Sequence, residues 1–160
     1  SQARTFTIME DLAGFQDSEK LLRNGLPFSD VAEATAEVAA KLHAAGLHHR
    51  DLYLCHFFSR IQQGHTEARL IDVARVRKLP RFLKRRWIVK DLAQFAYSMR
   101  QAGLQDEEWK HWLTHYCRFR GKRLTALLLW EVNRKVRWIA RHDASLRIRQ
   151  PNRNISIGSK

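Results

Sequence analysis

The sequence predicts an α+β fold that is mostly α-helical, with one small β-hairpin set between two acid-bearing loops. Three observations predict it. Apolar residues recur at helical spacing in several stretches between Val31 and Ile139. Two β-favouring runs, 54–61 and 67–71, flank the turn Gln62-Gln63-Gly64-His65. Asp51 and Asp72 stand just outside the two ends of that hairpin. A chain of 160 residues can build one domain with a real core.

Taken in order, residues 4–9 alternate polar and apolar and read as a strand, with Glu10, Asp11, Leu12, Ala13 and Gly14 as its exit turn. Leu21 and Leu22 belong to a short helix ended by Asn24-Gly25. Asp30 and Glu33 are spaced as a capping box, opening a helix with Val31, Val38, Leu42 and Ala45 on its apolar face. Gly46 is placed one residue past its end, where a positive φ is favoured, and apolar Leu47 follows. The helix thus delivers the chain to His49-Arg50-Asp51. Beyond the hairpin, Leu92, Phe95, Ala96 and Met99 form one face of a helix closed by Gly103. Asp106 is the expected N-cap of the next, where Trp109, Trp112, Leu113 and Tyr116 fall at i, i+3, i+4 and i+7. That spacing makes the aromatics core rather than a base-stacking platform. Leu124, Leu127, Leu128, Val132, Val136 and Ile139 mark a long last helix. The folded unit is expected over 1–144, and 145–160, rich in Arg, Asn and Ser, as a flexible basic tail.

The formal net charge of +13 calls for an anionic partner. Cations crowd the stretch Arg75, Arg77, Lys78, Arg81, Lys84, Arg85 and Arg86, directly after Asp72, and return from Arg118 onward. Charge alone would fit a nucleic-acid-binding domain, but that class interleaves its cations with exposed aromatics, and these aromatics lie on core stripes. Nucleic acid is therefore not expected as a partner. Cys55 and Cys117 have no metal-finger spacing and point to a reducing compartment, with Cys55 a buried small hydrophobe. No run approaches the roughly 20 apolar residues of a membrane span. No apolar segment follows Ser1-Gln2-Ala3-Arg4, so no secretory signal is expected.

Asp51 and Asp72 carry the chemistry. Phosphoryl transfer from a nucleotide needs one carboxylate to accept or orient the attacking hydroxyl and another to hold Mg²⁺ against the phosphates. His49-Arg50-Asp51-Leu52 matches the H-R-D-L catalytic loop of kinases, with His56 five residues after the acid, where that loop has a metal-binding Asn. A long helix, this loop, a hairpin, a second acid and further helices resemble the C-terminal lobe of the protein-kinase-like fold.

A more specific resemblance is to the lipopolysaccharide core heptose kinases of the WaaP (RfaP) type. It rests on Leu42-His43-Ala44-Ala45-Gly46, on His49-Arg50-Asp51-Leu52-Tyr53-Leu54-Cys55-His56-Phe57, on Ile71-Asp72, and on Arg86-Trp87-Ile88-Val89-Lys90-Asp91-Leu92. It covers most of residues 5–120. The resemblance implies ATP and Mg²⁺ as cofactors, with Asp51 as the base that aligns a sugar hydroxyl and Asp72 as a metal ligand. His56 would be a second metal ligand, a phosphate donor or a support for Asp51. Glu10 and Leu12 would be hinge residues meeting the adenine through their backbone. His49 and Asp91 would be structural, Asp91 tying down the catalytic loop. Arg50, Arg75, Arg77, Lys78, Arg81, Arg85 and Arg86 would bind anions.

The implied acceptor is the lipopolysaccharide inner core or a lipid-linked precursor, with carboxylates and phosphates that forked arginines suit. The implied location is cytoplasmic, peripheral at the anionic inner face of the inner membrane, with an acidic protein partner as a further use of the charge. The sequence contains no G-x-G-x-x-G. The chain is therefore expected to be the C-terminal part of a longer kinase, inactive by itself. The rival readings are another protein-kinase-like sugar, antibiotic or protein (tyrosine) kinase, a non-catalytic kinase-like scaffold, and a basic membrane- or nucleic-acid-binding domain.

Overall fold

The computed structural model describes residues 11–149, so the strand expected at 4–9 and Glu10 lie outside the described residues. Within them the fold is α+β with helices dominating, as expected. The elements run β1 (Gln16–Asp17), α1 (Ser18–Arg23), α2 (Ser29–Ala44), β2 (Leu47–His48), β3 (Phe57–Gln62), β4 (His65–Leu70), β5 (Arg77–Lys78), α3 (Lys84–Gln101), α4 (Asp106–Phe119) and α5 (Ala126–Arg149). β3 and β4 form the hairpin, paired antiparallel from Phe57↔Leu70 to Gln62↔His65. Its turn residues Gln63 and Gly64 both have positive φ, 50° and 76°, which matches the twist of the flanking strands. β1 adds to β3 as an edge, and β2 pairs with β5 in a separate two-stranded ribbon.

α2 lies between α4 and β4. Its buried face is Val31, Ala32, Thr35, Ala36, Ala39, Ala40 and His43, while Val38 and Leu42 are half-buried and Ala45 is exposed. The expected apolar face is thus rotated. A helix pressed from two sides needs small side chains at both contacts, so alanines occupy the interior and the larger apolar residues sit at its margin. The expected capping box is also absent. Phe28, buried and already helical at φ −61°, occupies the cap position, and Asp30 falls in the first turn. There its charge favours the helix N-terminus.

Three further boundaries differ from expectation. Leu54–His56 is a 3-10 turn rather than strand, because the Leu54 N–H donates to Ser98 Oγ (2.9 Å) instead of a neighbouring strand. α4 is capped by Gln105, which exchanges bonds with Glu108, so Asp106 is its first helical residue. Residues 145–149, expected in the tail, form the last turn of α5. The Tyr97 hydroxyl donates to Asp143 (2.5 Å), which also pairs with Arg147 (3.0 Å) and fastens that end to α3.

The aromatic stripe is core. Phe95 stacks on Trp112 (4.2 Å between ring centres) and meets Phe57 edge-on (5.2 Å). The Trp112 indole donates to Thr35 Oγ1 (3.0 Å), so α4 is pinned to α2 by its one polar atom. Cys55 and Cys117 are free and buried, and burial pushes the Cys55 thiol up to about 12.

Candidate active site

The loop between β2 and the 3-10 turn is held from below by one face of α3. Asp91 is fully buried, and its carboxylate accepts the backbone N–H of His49 (2.6 Å) and of Arg50 (3.0 Å). Arg50 adopts φ +75°, a left-handed conformation that a side chain disfavours, and the Asp91 bond together with Lys90 Nζ on the Arg50 carbonyl fixes it there. His43 from α2 completes the clamp. Asp91 can only accept, so His43 Nε2 donates to it (3.3 Å), leaving Nδ1 to accept from the Tyr116 hydroxyl (2.7 Å).

Two rings converge on the carbonyl of Asp51, His49 through Nδ1 (2.8 Å) and His56 through Nδ1 (2.8 Å). The other nitrogen of His49 lies 3.0 Å from the carbonyl of Ile71, which couples the loop to the strand end just before Asp72. A carbonyl cannot donate, so His56 carries its proton on Nδ1 and turns the Nε2 lone pair outward. That atom lies 3.8 Å from Asp72 Oδ2. With a neutral imidazole, Nε2 and the Asp72 carboxylate are two electron-pair donors that a cation can share.

The carboxylate of Asp51 is 18% exposed. Gln94 Nε2 reaches its Oδ1 (3.4 Å) and the Tyr53 hydroxyl (3.0 Å), while Gln94 Oε1 accepts from Lys90 Nζ (3.2 Å). Burial lowers Lys90 from the usual lysine range, opposed by the nearby charges of Asp91 and Asp51. Burial likewise raises the Tyr53 phenol. The guanidinium of Arg75 pairs with Asp51 Oδ2. Asp72 differs in kind. It sits at φ 55°, ψ 46°, half exposed, at the entrance to the 3-10 turn Val73–Arg75.

The structure therefore brings together Asp51, His56, Asp72, His49, Asp91, the Arg50 backbone and Arg75. It does not gather the other expected anion binders. Arg77 and Lys78 lie on β5, and Arg81 is exposed in the turn before α3. Arg85 is engaged by Glu131 of α5 (2.7 Å), and Arg86 lines a separate groove beside it. The cationic run is thus a turn, a strand and a helix start rather than one loop. The carbonyl of Leu12 accepts the Phe15 N–H (2.9 Å) within the turn after the described start.

Sequence reasoning assigned no role to Lys90, Gln94, Ser98, Tyr53 or His43. A signal was present: Lys90, Asp91, Gln94 and Ser98 interrupt an otherwise apolar helix face at i, i+1, i+4 and i+8. Among the described residues no set of three His, Cys, Asp or Glu side chains could hold a metal by itself. Asp72 with His56 can supply part of a shell, and Mg²⁺ commonly completes such a shell with phosphate oxygens and water.

A family model described as lipopolysaccharide kinase (Kdo/WaaP) matches residues 1–116, which contain the whole of this site. The chain belongs to the lipopolysaccharide kinase (Kdo/WaaP) family. Among curated relatives, the lipopolysaccharide core heptose(I) kinase WaaP of Escherichia coli K12 is 31% identical over 106 residues, 61% of this chain and 37% of that protein. The WaaP kinase of Pseudomonas aeruginosa PAO1 is 32% identical over 92 residues, 55% of this chain and 34% of that protein. The chain thus spans about a third of the length of the curated relatives it matches. A solved structure titled WaaP in complex with acyl carrier protein superposes with a TM-score of 0.63 at 26% identity. It covers 85% of this chain and 59% of the solved one. The matched range of the Kdo/WaaP family model takes in the Asp51 loop, the hairpin and Asp72.

Proposed function

We propose that the chain is the catalytic C-terminal part of an ATP-dependent kinase that phosphorylates a heptose of the lipopolysaccharide inner core. The observation that carries this reading is the pair Asp51, on a loop clamped to α3, and Asp72, just after β4, with His56 between them. Asp51, held at its carbonyl by two imidazoles and at its carboxylate by Gln94, accepts the proton of the sugar hydroxyl and aims it at the terminal phosphate. Asp72 is the carboxylate that would hold Mg²⁺, with His56 Nε2 beside it; the ion, when bound, neutralises phosphate charge. Because His56 also holds Asp51, its replacement affects both carboxylates.

The protein-kinase-like assignment of these loops belongs to the same proposal. So does the nucleotide-binding lobe, for which this sequence has no Gly-rich loop. An acidic protein partner fits the charge of +13, and the structural neighbour is titled as a complex with acyl carrier protein.

The test is transfer of labelled phosphate from ATP-Mg²⁺ to underphosphorylated lipopolysaccharide, by a protein carrying this chain together with a nucleotide-binding lobe. Asp51→Asn should reduce the rate by about 10³-fold with nucleotide binding retained. A folded, nucleotide-binding protein that transfers nothing to this acceptor would move the reading to another acceptor.

A further inference from the structure

α5 lies beyond the residues matched by the family model, and its outer face is unlike that of an ordinary solvated helix. At about 100° per residue, Trp130, Arg134, Arg137, Arg141 and Ile148 share the side opposite the buried Val132 and Val136. Trp130 and Trp138 are 53% and 55% exposed. Each carries a cation over its ring, Arg134 at 4.8 Å from Trp130 and Lys135 at 3.6 Å from Trp138. Beside Trp138, a groove of about 950 Å³ separates α5 from the first turns of α3, with Trp87 and Val89 in its walls. At its rim stands Phe82, 95% exposed on the turn before α3. Glu131 is the one acid lining the groove, and Arg85 neutralises it (2.7 Å).

Trp130, Trp138 and Phe82 depart from the expectation that the aromatics lie on core stripes. Exposed rings among Arg and Lys, with almost no carboxylate, match the interface of an anionic bilayer. There aromatic rings lie at headgroup depth and cations meet phosphates. None of the described helices is long and apolar enough to cross a membrane, so such a face lies on the surface. An acidic protein would satisfy the cations but leaves Phe82, a lone ring standing clear of the body, without a reason. We propose that the outer face of α5 and the Phe82 turn form a membrane-docking surface for anionic phospholipid. Lys90 lines this groove and also bonds the Arg50 carbonyl, so the docked face adjoins the candidate site. An acceptor carried in the same bilayer would then approach Asp51 from the membrane side. Docking itself does not depend on the kinase reading, because it needs neither nucleotide nor acceptor.

The chain would be mixed with vesicles of phosphatidylcholine, with and without phosphatidylglycerol, and followed by flotation and tryptophan emission. Binding is expected to vesicles containing phosphatidylglycerol alone, to weaken with salt, and to shift the emission to the blue. The variant F82S/W130S/W138S should bind at least about tenfold more weakly. So should R134E/R137E/R141E, while R77E/K78E, on the β5 surface, should bind like the parent. Brominated phosphatidylcholine included with the anionic lipid should quench the unsubstituted protein, which tests insertion without any variant. The proposal is overturned if the unsubstituted chain ignores anionic vesicles, if it binds them unquenched, if the aromatic variant binds at full strength, or if R77E/K78E abolishes binding. Acyl carrier protein that binds this face while vesicles do not would overturn it in favour of a protein partner.

Discussion

The clamp around Asp91 and the segment around Asp72 place two acids beside the same loop under opposite physical conditions. Asp91 is wholly buried, and both its oxygens are spent on backbone N–H groups and His43. Asp72 is half exposed in a left-handed conformation, with His56 3.8 Å away. Buried polar groups must be satisfied inside the protein, so the first acid has become scaffold. The second leaves its carboxylate half exposed, with His56 as its neighbour. The difference teaches which part of the candidate site is fixed by internal hydrogen bonds: the backbone around Asp51 is held on several sides, while the side chain of Asp72 stays half exposed.

That contrast can be broken by substitution. Asp91→Ala strips partners from two buried amides and from His43, and should cost about 3 kcal/mol of stability, read as a large fall in Tm. A loss below about 1 kcal/mol would mean the clamp is dispensable. Asp72→Asn, which keeps a side chain tolerant of the left-handed region, should change stability by less than about 0.5 kcal/mol. Its effect should instead fall on the Mg²⁺ dependence of nucleotide binding in the protein with its nucleotide lobe. Equal destabilisation by the two substitutions would erase the distinction.

The smallest effect concerns pH. Burial lowers His48 below its ordinary value of 6.5, and the ring packs on Trp87 at 4.7 Å. The sign follows from proton uptake. As pH falls through about 6.5 the unfolded histidine takes a proton that the folded one refuses, so stability declines with acid from there to the lower folded value. His48→Leu should flatten that decline in urea melts between pH 7 and 5. An unchanged slope would assign the acid sensitivity to other groups.

The sequence was most legible where local chemistry is decisive. The Gln62–His65 turn, the helical stripe at Trp109, Trp112 and Tyr116, and Gly46 at φ 74° follow from periodicity and backbone preference. The two-residue strands β1, β2 and β5 left no such trace, since they are too short for any period and exist only because a partner lies alongside. The starts of α2 and α4 were misplaced by a residue or two for a related reason: buried Phe28 and the Gln105–Glu108 exchange settle them.

By itself the sequence determined the helix-rich α+β class, the hairpin, the aromatic core and the placement of Asp51 and Asp72 next to the two ends of that hairpin. All of these rest on local spacing and on motifs contiguous along the chain. Only the tertiary structure decided that Lys90, Gln94 and Ser98 face the loop, that His43 and Tyr116 close the clamp on Asp91, and that the cations of 75–86 divide between Asp51, β5 and α5. Those contacts join residues about forty or more positions apart in most cases, and a hydrogen bond depends on where two atoms finish in space, which no local pattern records.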